Sequence, residues 1–300
     1  HNNYLELTRS STYQGENTPS PSSLKFYLGD PDVDTSDPLK ALSDSTVDAI
    51  EISSSLLESA QNQGFSITSF EDTTYGLLFN LSAEYQGSVN VMSHTDIRRA
   101  FVQTLDRQLL LSYLPEYSSS AEDIITPNTT YLGKSYREQA GSGMLLQQDS
   151  SVIDSVPSAL TSLGLSSMPT VTVLCPDDDS VKRMVNEMLA SWNSAFGNYF
   201  NMEPLSQEEL NSRVAKGEFQ MAIYGVQPNG GTPEQFLSLF TSGSSRNPAQ
   251  MSDSSYDAFL ENARTSGGSD TLEYYRQAEA YLNSQAIFYP LYYQSHYFAC

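Results

Sequence analysis

The residues able to do chemistry are few and badly placed for it. The histidines are His1, His94 and His296, and the cysteines are Cys175 and Cys300. None of them forms H-E-x-x-H or a Cys/His cluster, so the ligand spacing of a transition-metal enzyme is missing. The two cysteines stand too far apart in the chain for a disulfide framework, and they leave the redox compartment open. Asp177, Asp178 and Asp179 invite a calcium reading, but their spacing is not that of an EF-hand loop. Carboxylates ahead of a helix are better explained as caps that complement the helix dipole. Gly141-Ser142-Gly143 lacks the G-x-S-x-G spacing of a nucleophile elbow, so neither His94 nor His296 has a serine to activate. There is no P-loop and no G-x-G-x-x-G after a strand. With Asp+Glu at 36, choosing two carboxylates for glycosidase chemistry would be arbitrary. The expectation is a chain that is not an enzyme, with no cofactor and no metal.

What remains is binding. The stretch from Gly217 to Leu237 carries the sharpest local signal. Phe219 to Tyr224 reads as a buried strand bounded by glycines. Gly225 to Thr232 is a polar bend rich in Gly, Pro and Asn, and Pro233 sits where a helix begins, with Phe236, Leu237 and Phe240 on its apolar face. Open α/β sheets place ligands where a strand ends in such a bend. Val226, Gln227, Pro228, Asn229 and Gly230 are therefore the candidate wall of a ligand site, with backbone groups of the bend hydrogen-bonding an extended ligand. Asn229 is also a residue that simply suits a turn.

The flanking elements are those of an α/β protein. Strands are expected near 1–7, 23–28, 47–50, 65–70 and 75–81, with short helices at 38–42 and 56–63. A long helix is expected over 93–113, capped by Ser93 or Thr95, with Ile97, Phe101, Leu105 and Leu109 as one buried stripe. Arg98 and Arg107 on it are open to two readings, an anion site or ties to neighbouring carboxylates and carbonyls. Residues 115–170 read mostly as loop. From residue 171 strand and helix alternate again. A helix running to Phe196 is stopped by Gly197, Ser206 to Glu209 form a capping box, further helices cover 253–263 and 270–282, and a closing strand covers 286–293.

Composition narrows the class. The 300 residues allow two lobes, and 39% hydrophobic residues with 19 tyrosines allow a real core. A net charge of −21 disfavours nucleic acid and anionic membrane surfaces, since phosphate binding needs basic residues. No apolar run reaches the roughly 18 residues of a membrane span. His1 to Leu7 does not read as a signal peptide.

As a string, the 217–237 stretch resembles the family 5 extracellular solute-binding proteins of ABC importers, the oligopeptide- and dipeptide-binding lipoproteins. Gly217, Phe219, Gly225, Pro233, Phe236 and Leu237 keep that family's frame without gaps. Three positions depart from it. Gln220 replaces a strand Asp, Val226 replaces a Trp of the ligand channel, and Asn229 replaces the Asp that pairs with a peptide's free α-amino group in the peptide-binding members. Further matches are Asp96 to Ala100 with Leu105-Asp106-Arg107, the piece Ala41 to Ala49, and Ile287 to Tyr293. Asn80 stands where the family's strand carries an Asn on crossing between lobes.

The resemblance implies an α/β, two-lobed, periplasmic-binding-protein-like fold of type II, the large peptide-binding class. It implies part of lobe I at 1–82, returning at 289–300, and lobe II at 83–288. The family chains extend past this one at both ends, so the chain is expected to be a C-terminal fragment. Its function is expected to be capture of a peptide or similar small solute in an inter-lobe cleft, with delivery to an ABC importer permease. Ligand binding would shift an open–closed equilibrium by its differential affinity. The ligand residues would be Val226, Gln227, Pro228, Asn229, Gly230 and Asn80. The location would be extracellular, as a cell-surface lipoprotein or in the periplasm, with a lipid anchor lost from this chain as the only tie to the membrane and no nucleic-acid partner. A neutral Asn229 would grip a free peptide amine poorly, because a charge-assisted bond is roughly twice as strong as a neutral one. The alternative is a cell-surface carbohydrate-binding or adhesion protein without a transport role, its tyrosines stacking on sugars rather than filling a core.

Overall fold

A computed structural model describes residues 3–14, 20–28, 33–115, 118–142, 145–228 and 230–300. His1, Gly143 and Asn229 lie outside them. The chain divides into two units, His1–Ser69 with His296–Cys300, and Phe70–Ser295.

The first unit holds an antiparallel hairpin of β1 (Tyr4–Thr8) and β2 (Ser23–Tyr27), then α1 (Pro38–Ser43), β3 (Ile50–Ile52) and α2 (Leu57–Asn62). Asp37 caps α1 by accepting from Lys40 N–H at 3.1 Å. The small core is Leu39, Leu42, Ile52, Ala60 and Ala299. Residues 297–299 pair antiparallel with β3, Tyr297 opposite Ile52.

The second unit takes in most of β4 (Ile67–Phe79) and then two short strands, β5 (Glu84–Tyr85) and β6 (Ser88–Val89). Next come α3 (Thr95–Gln103) and α4 (Arg107–Leu111). Residues expected as loop instead form β7 (Ser118–Ser120), β8 (Thr130–Tyr131), β9 (Lys134–Ser135), α5 (Tyr136–Ala140) and α6 (Val156–Ser162). The alternating part follows: β10 (Val171–Pro176), α7 (Asp179–Phe196), β11 (Phe200–Leu205), α8 (Gln207–Lys216), β12 (Met221–Val226), α9 (Pro233–Leu237), α10 (Ser254–Thr265), α11 (Ser269–Ser284) and β13 (Phe288–Ala299).

The sheet of this unit runs β11-β10-β12-β4-β13, with β7 on the side of β13. β10 is parallel to β11 and β12, and β4 is antiparallel to β12. Both faces are covered, which is why its strands read as apolar runs. Val171, Val173, Cys175, Leu77, Phe79, Met221 and Ile223 face one core, with α3, α6 and α7 supplying Phe101, Leu160, Met188 and Trp192. Leu174, Leu78, Ala222 and Val226 face the other, against Leu210, Phe236, Tyr256 and Leu282 of α8 to α11. Burial of side chains this size, each about 1.5–3 kcal/mol, is what holds the helices on.

Three further expectations change. The helix expected over 93–113 breaks after Gln103, because Asp106 accepts from Leu109 N–H at 3.1 Å and starts a new helix. The stripe therefore turns away from the core and leaves Leu109 42% exposed, while Ile97, Phe101 and Leu105 stay buried. The cap of α3 is His94, whose Nδ1 accepts from Asp96 N–H at 3.3 Å, not Ser93 or Thr95. The strands expected at 65–70 and 75–81 are one strand, β4.

Candidate ligand-binding edge

β12 forms because Met221, Ala222 and Ile223 find apolar cover on both faces and ladder partners on both sides. The register with β4 runs from Met221 opposite Phe79 to Val226 opposite Thr74. Beyond Val226 the ladder ends and the chain bends. Thr232 then opens α9 with a full capping box. Its hydroxyl accepts from Gln235 N–H, while Gln235 Oε1 accepts from Thr232 N–H at 3.2 Å. That box explains Gly230. Its φ is +135°, and a Cβ there would strike Gln235 Oε1 and lie 2.6 Å from Nε2.

The bend is tied back to the sheet. Gln227 Nε2 donates to Asp72 Oδ2 at 2.6 Å, and Arg246 Nη2 donates to the Gln227 carbonyl at 2.9 Å. Thr73 Oγ1 donates to Asp72 Oδ1 at 2.8 Å. Next to this lies an aromatic pair. Tyr75 and Tyr292 stack with centroids 5.0 Å apart and planes 4° from parallel. Tyr75 lies over Gly225, where a Cβ would stand 2.7 Å from its Cζ and 3.0 Å from Thr73 Cγ2. Tyr292 is buried, whereas Tyr75 and Tyr224 are partly open. Burial raises the hydroxyl of Tyr75, and Tyr224 and Asp72 add to it. Burial also raises Tyr224, with Arg246 opposing. At the neighbouring end of β10, Asp178 caps α7, accepting from Ser180 N–H at 2.9 Å and Val181 N–H at 3.0 Å. Lys182 bridges Asp177 at 2.7 Å and Asp179 at 2.9 Å. The three adjacent aspartates thus follow the capping reading.

The expected site residues divide. Gln227, Pro228 and Gly230 lie together in the bend, Gln227 and Gly230 exposed and Pro228 half-buried. Val226 is 2% exposed, with its side chain packed into the core of α8 to α11. Asn229 lies outside the described residues. Asn80 sits beyond the other end of β12, about 20 Å from Val226 at ~3.3 Å per residue. Its Nδ2 donates to the carbonyls of Gly217 at 3.0 Å and Phe219 at 2.8 Å, and its Oδ1 accepts from Ser82 N–H at 2.9 Å. Asn80 is thus a latch between strand ends and not a neighbour of the bend.

Asp72, Tyr75, Tyr292 and Arg246 did not stand out in the sequence. A Tyr facing a Gly across two strands was the signal that could have found Tyr75, but it needs the register. The two arginines of the α3–α4 region serve as ties. Arg98, 3% exposed, donates to the carbonyls of Met92, Ser93, Gln285 and Ala286, and burial lowers its pKa to about 10. Arg107 donates to the carbonyls of Pro290 and Ala121. Among the described residues no group of three or more His, Cys, Asp or Glu is placed to hold a metal. Cys175 is buried in the core, and burial pushes its thiol up to about 11.

Comparison with known proteins decides the family. Residues 1–248 match the model for bacterial extracellular solute-binding proteins, family 5 Middle. The chain belongs to that family. This family 5 member is 21% identical over 214 residues to the dipeptide-binding protein DppE of Bacillus subtilis (strain 168), a match spanning 70% of this chain and 39% of DppE. Its structure is similar to that of Listeria monocytogenes OppA bound to peptide, with a TM-score of 0.65 at 17% identity, covering 99% of this chain and 57% of that one. It is also similar to the substrate-binding domain of an oligopeptide ABC transporter from Bacillus anthracis str. Ames, with a TM-score of 0.67 at 16% identity, covering 100% and 58%. The α/β fold expected for a periplasmic-binding-protein-like chain is the one observed. This family 5 chain spans little more than half the length of those two structures. The family is one of extracellular, non-enzymatic solute-binding proteins, and among the described residues no helix is long and apolar enough to cross a membrane.

Proposed function

We propose that this chain is part of the solute-binding component of an ABC importer that captures peptides outside the cell and hands them to a permease. The observation that carries the reading is the family match over residues 1–248, joined by neighbours named for dipeptide and oligopeptide binding. The ligand meets the carboxyl edge of β10 and β12. The sheet ladder stops at Val226 there, and Tyr75 and Tyr224 supply partly open aromatic surface. Capture is non-covalent, without a catalytic residue or cofactor. In this reading the residues up to about 82 and from about 289 belong to the first lobe and those between to the second.

The test is thermal unfolding of the full-length protein with a pool of peptides and, separately, a pool of oligosaccharides. A ligand that binds only the folded state adds about 2.7 kcal/mol at a hundredfold excess over Kd. Peptides are expected to raise the midpoint and sugars to leave it unmoved. A shift with sugars alone sinks the peptide reading, and no shift with either sinks the transport role.

A further inference from the structure

We propose that a polar cavity at the end of β12 opposite the bend is a second ligand site, which takes a free amino acid by its two charges. The proposal is independent of what the bend holds. The cavity has a volume of about 350 Å³, within the ~300–1,000 Å³ usual for small-molecule pockets. Arg98 and Asp253 both line it, together with Ser82, Ser252, Tyr281 and Gln285. Opposite charges in one cavity ordinarily pair, but among the described residues these two form no ion pair. Arg98 gives its N–H groups to neutral oxygens, namely four carbonyls and Thr95 Oγ1. Asp253 accepts from Ser255 N–H at 2.8 Å, Tyr256 N–H at 3.3 Å and the Tyr281 hydroxyl at 2.5 Å.

The bonds of Arg98 hold the guanidinium still without supplying a counter-ion. The carbonyl end of α11 offsets roughly half of its charge. A buried charge left without a partner is costly, so an anion arriving there is favoured. Donors for a carboxylate stand beside it. Gln285 Oε1 accepts from the Thr95 hydroxyl at 3.3 Å, and among the described residues Gln285 Nε2 and the Ser82 hydroxyl hold no bond. On the Asp253 side, Oδ1 takes both N–H bonds of the α10 cap and Oδ2 takes only the Tyr281 hydroxyl, which leaves Oδ2 a lone pair for an ammonium. Tyr281 links the two poles. Burial raises its hydroxyl to about 12, with Asp253 adding and Arg98 opposing. Both charges therefore lie around one hydroxyl, which is the span of a small zwitterion. A peptide carries the same two charges at its ends, too far apart to meet both here.

The test is calorimetric titration of the full-length protein with the standard L-amino acids, one at a time, at millimolar concentration. At least one is expected to bind. Its N-acetyl derivative, which lacks the ammonium, and its amide, which lacks the carboxylate, should each bind tenfold or more weaker. Asp253→Asn removes the charge while keeping a side chain that caps α10, and it should weaken the free amino acid by a similar factor. Ser252→Trp fills the cavity from its exposed rim without touching either charge, and it should abolish binding. Where Asp253→Asn lowers the unfolding midpoint, Ser252→Trp carries the test instead. Binding by none of the amino acids overturns the proposal, and so do derivatives that bind as tightly as the parent. Binding that survives Ser252→Trp overturns it too, because the amino acid then sits elsewhere.

Discussion

Arg137 Nη2 lies 2.7 Å from Glu279 Oε1, and the glutamate is only 3% exposed. The same guanidinium reaches Asp123 Oδ2 through Nε at 3.1 Å. Ile125 N–H and the Tyr136 hydroxyl add hydrogen bonds to Glu279, each 3.3 Å. This buried group fastens the segment around Asp123 and helix α5 to α11. Removing one partner of such a pair costs about 3–5 kcal/mol, because the other charge is left buried alone. Arg137→Met should destabilise the protein by that order in chemical denaturation, and adding Glu279→Gln should recover part of it. The pH dependence has a definite sign. Burial raises the Glu279 carboxyl, with Arg137 pulling the other way. A raised carboxyl binds its proton more tightly when folded, so its contribution to stability is present at low pH and lost as pH rises through the folded value. Without Arg137 that loss grows. The deficit of Arg137→Met should be greatest near neutrality and shrink on acidification towards the ordinary glutamate range. A deficit that widens on acidification would contradict this account.

Asn283, one turn further along α11, presents the opposite situation. It is 3% exposed, and neither Nδ2 nor Oδ1 has a hydrogen-bond partner. An unpaired buried amide costs about 1–3 kcal/mol. Asn283→Leu keeps the branched shape and removes the polar atoms, so it should stabilise the fold by about 1 kcal/mol. The reading is an upward shift of the urea midpoint with an unchanged slope. A lower midpoint would show that the amide is satisfied in solution.

These two sites mark the limit of what the sequence made legible. Local signals carried far. Pro233 after Thr232, the aspartates before α7, Ser206 before Glu209 and Gly197 at the end of α7 were all read at the positions where the structure uses them. Each is a bond between residues a few places apart. The parts that were missed depend on distant partners. Glu71 to Thr74 is poor strand sequence, yet it lies within β4, where Thr74 stands opposite Val226 of β12 and its Oγ1 donates to the Ile124 carbonyl at 2.7 Å. The break after Gln103 was hidden because a four-residue apolar period does not register a competing cap at Asp106. Asp72 could not be seen as part of the bend, since nothing local links it to Gln227.

Asn80 separates the family expectation from the geometry. As a ligand residue, it should change affinity when replaced. As a latch, it satisfies the carbonyls of Gly217 and Phe219 and the Ser82 N–H, while Asn90 Nδ2 holds its own carbonyl at 2.9 Å. Asn80→Ala leaves these groups buried and unpaired, at about 1–3 kcal/mol for each unsatisfied group. The expected outcome is a large loss of stability with peptide affinity unchanged in the protein that remains folded. Weakened affinity in a variant of normal stability would place Asn80 in the site after all.

Two glycines on adjoining strands should respond differently to the same added methyl. At Gly76 a Cβ would fall on the carbonyl oxygen of Tyr289 and stand 2.7 Å from Phe288 Cζ and 3.0 Å from Pro290 Cα. Two of those three atoms are backbone of β13 and cannot step aside, so β4 and β13 would have to part. Overpacking of this kind costs about 1–3 kcal/mol, and a backbone obstacle puts Gly76→Ala at the upper end or beyond. At Gly225 the obstacles are the ring of Tyr75 and the methyl of Thr73, both side chains. Gly225→Ala should therefore cost less stability, while tilting Tyr75 off Tyr292 and weakening peptide binding. The check is to measure unfolding midpoint and peptide affinity for both variants. A Gly225→Ala protein that binds as wild type would mean that the Tyr75 ring takes no part in holding the ligand.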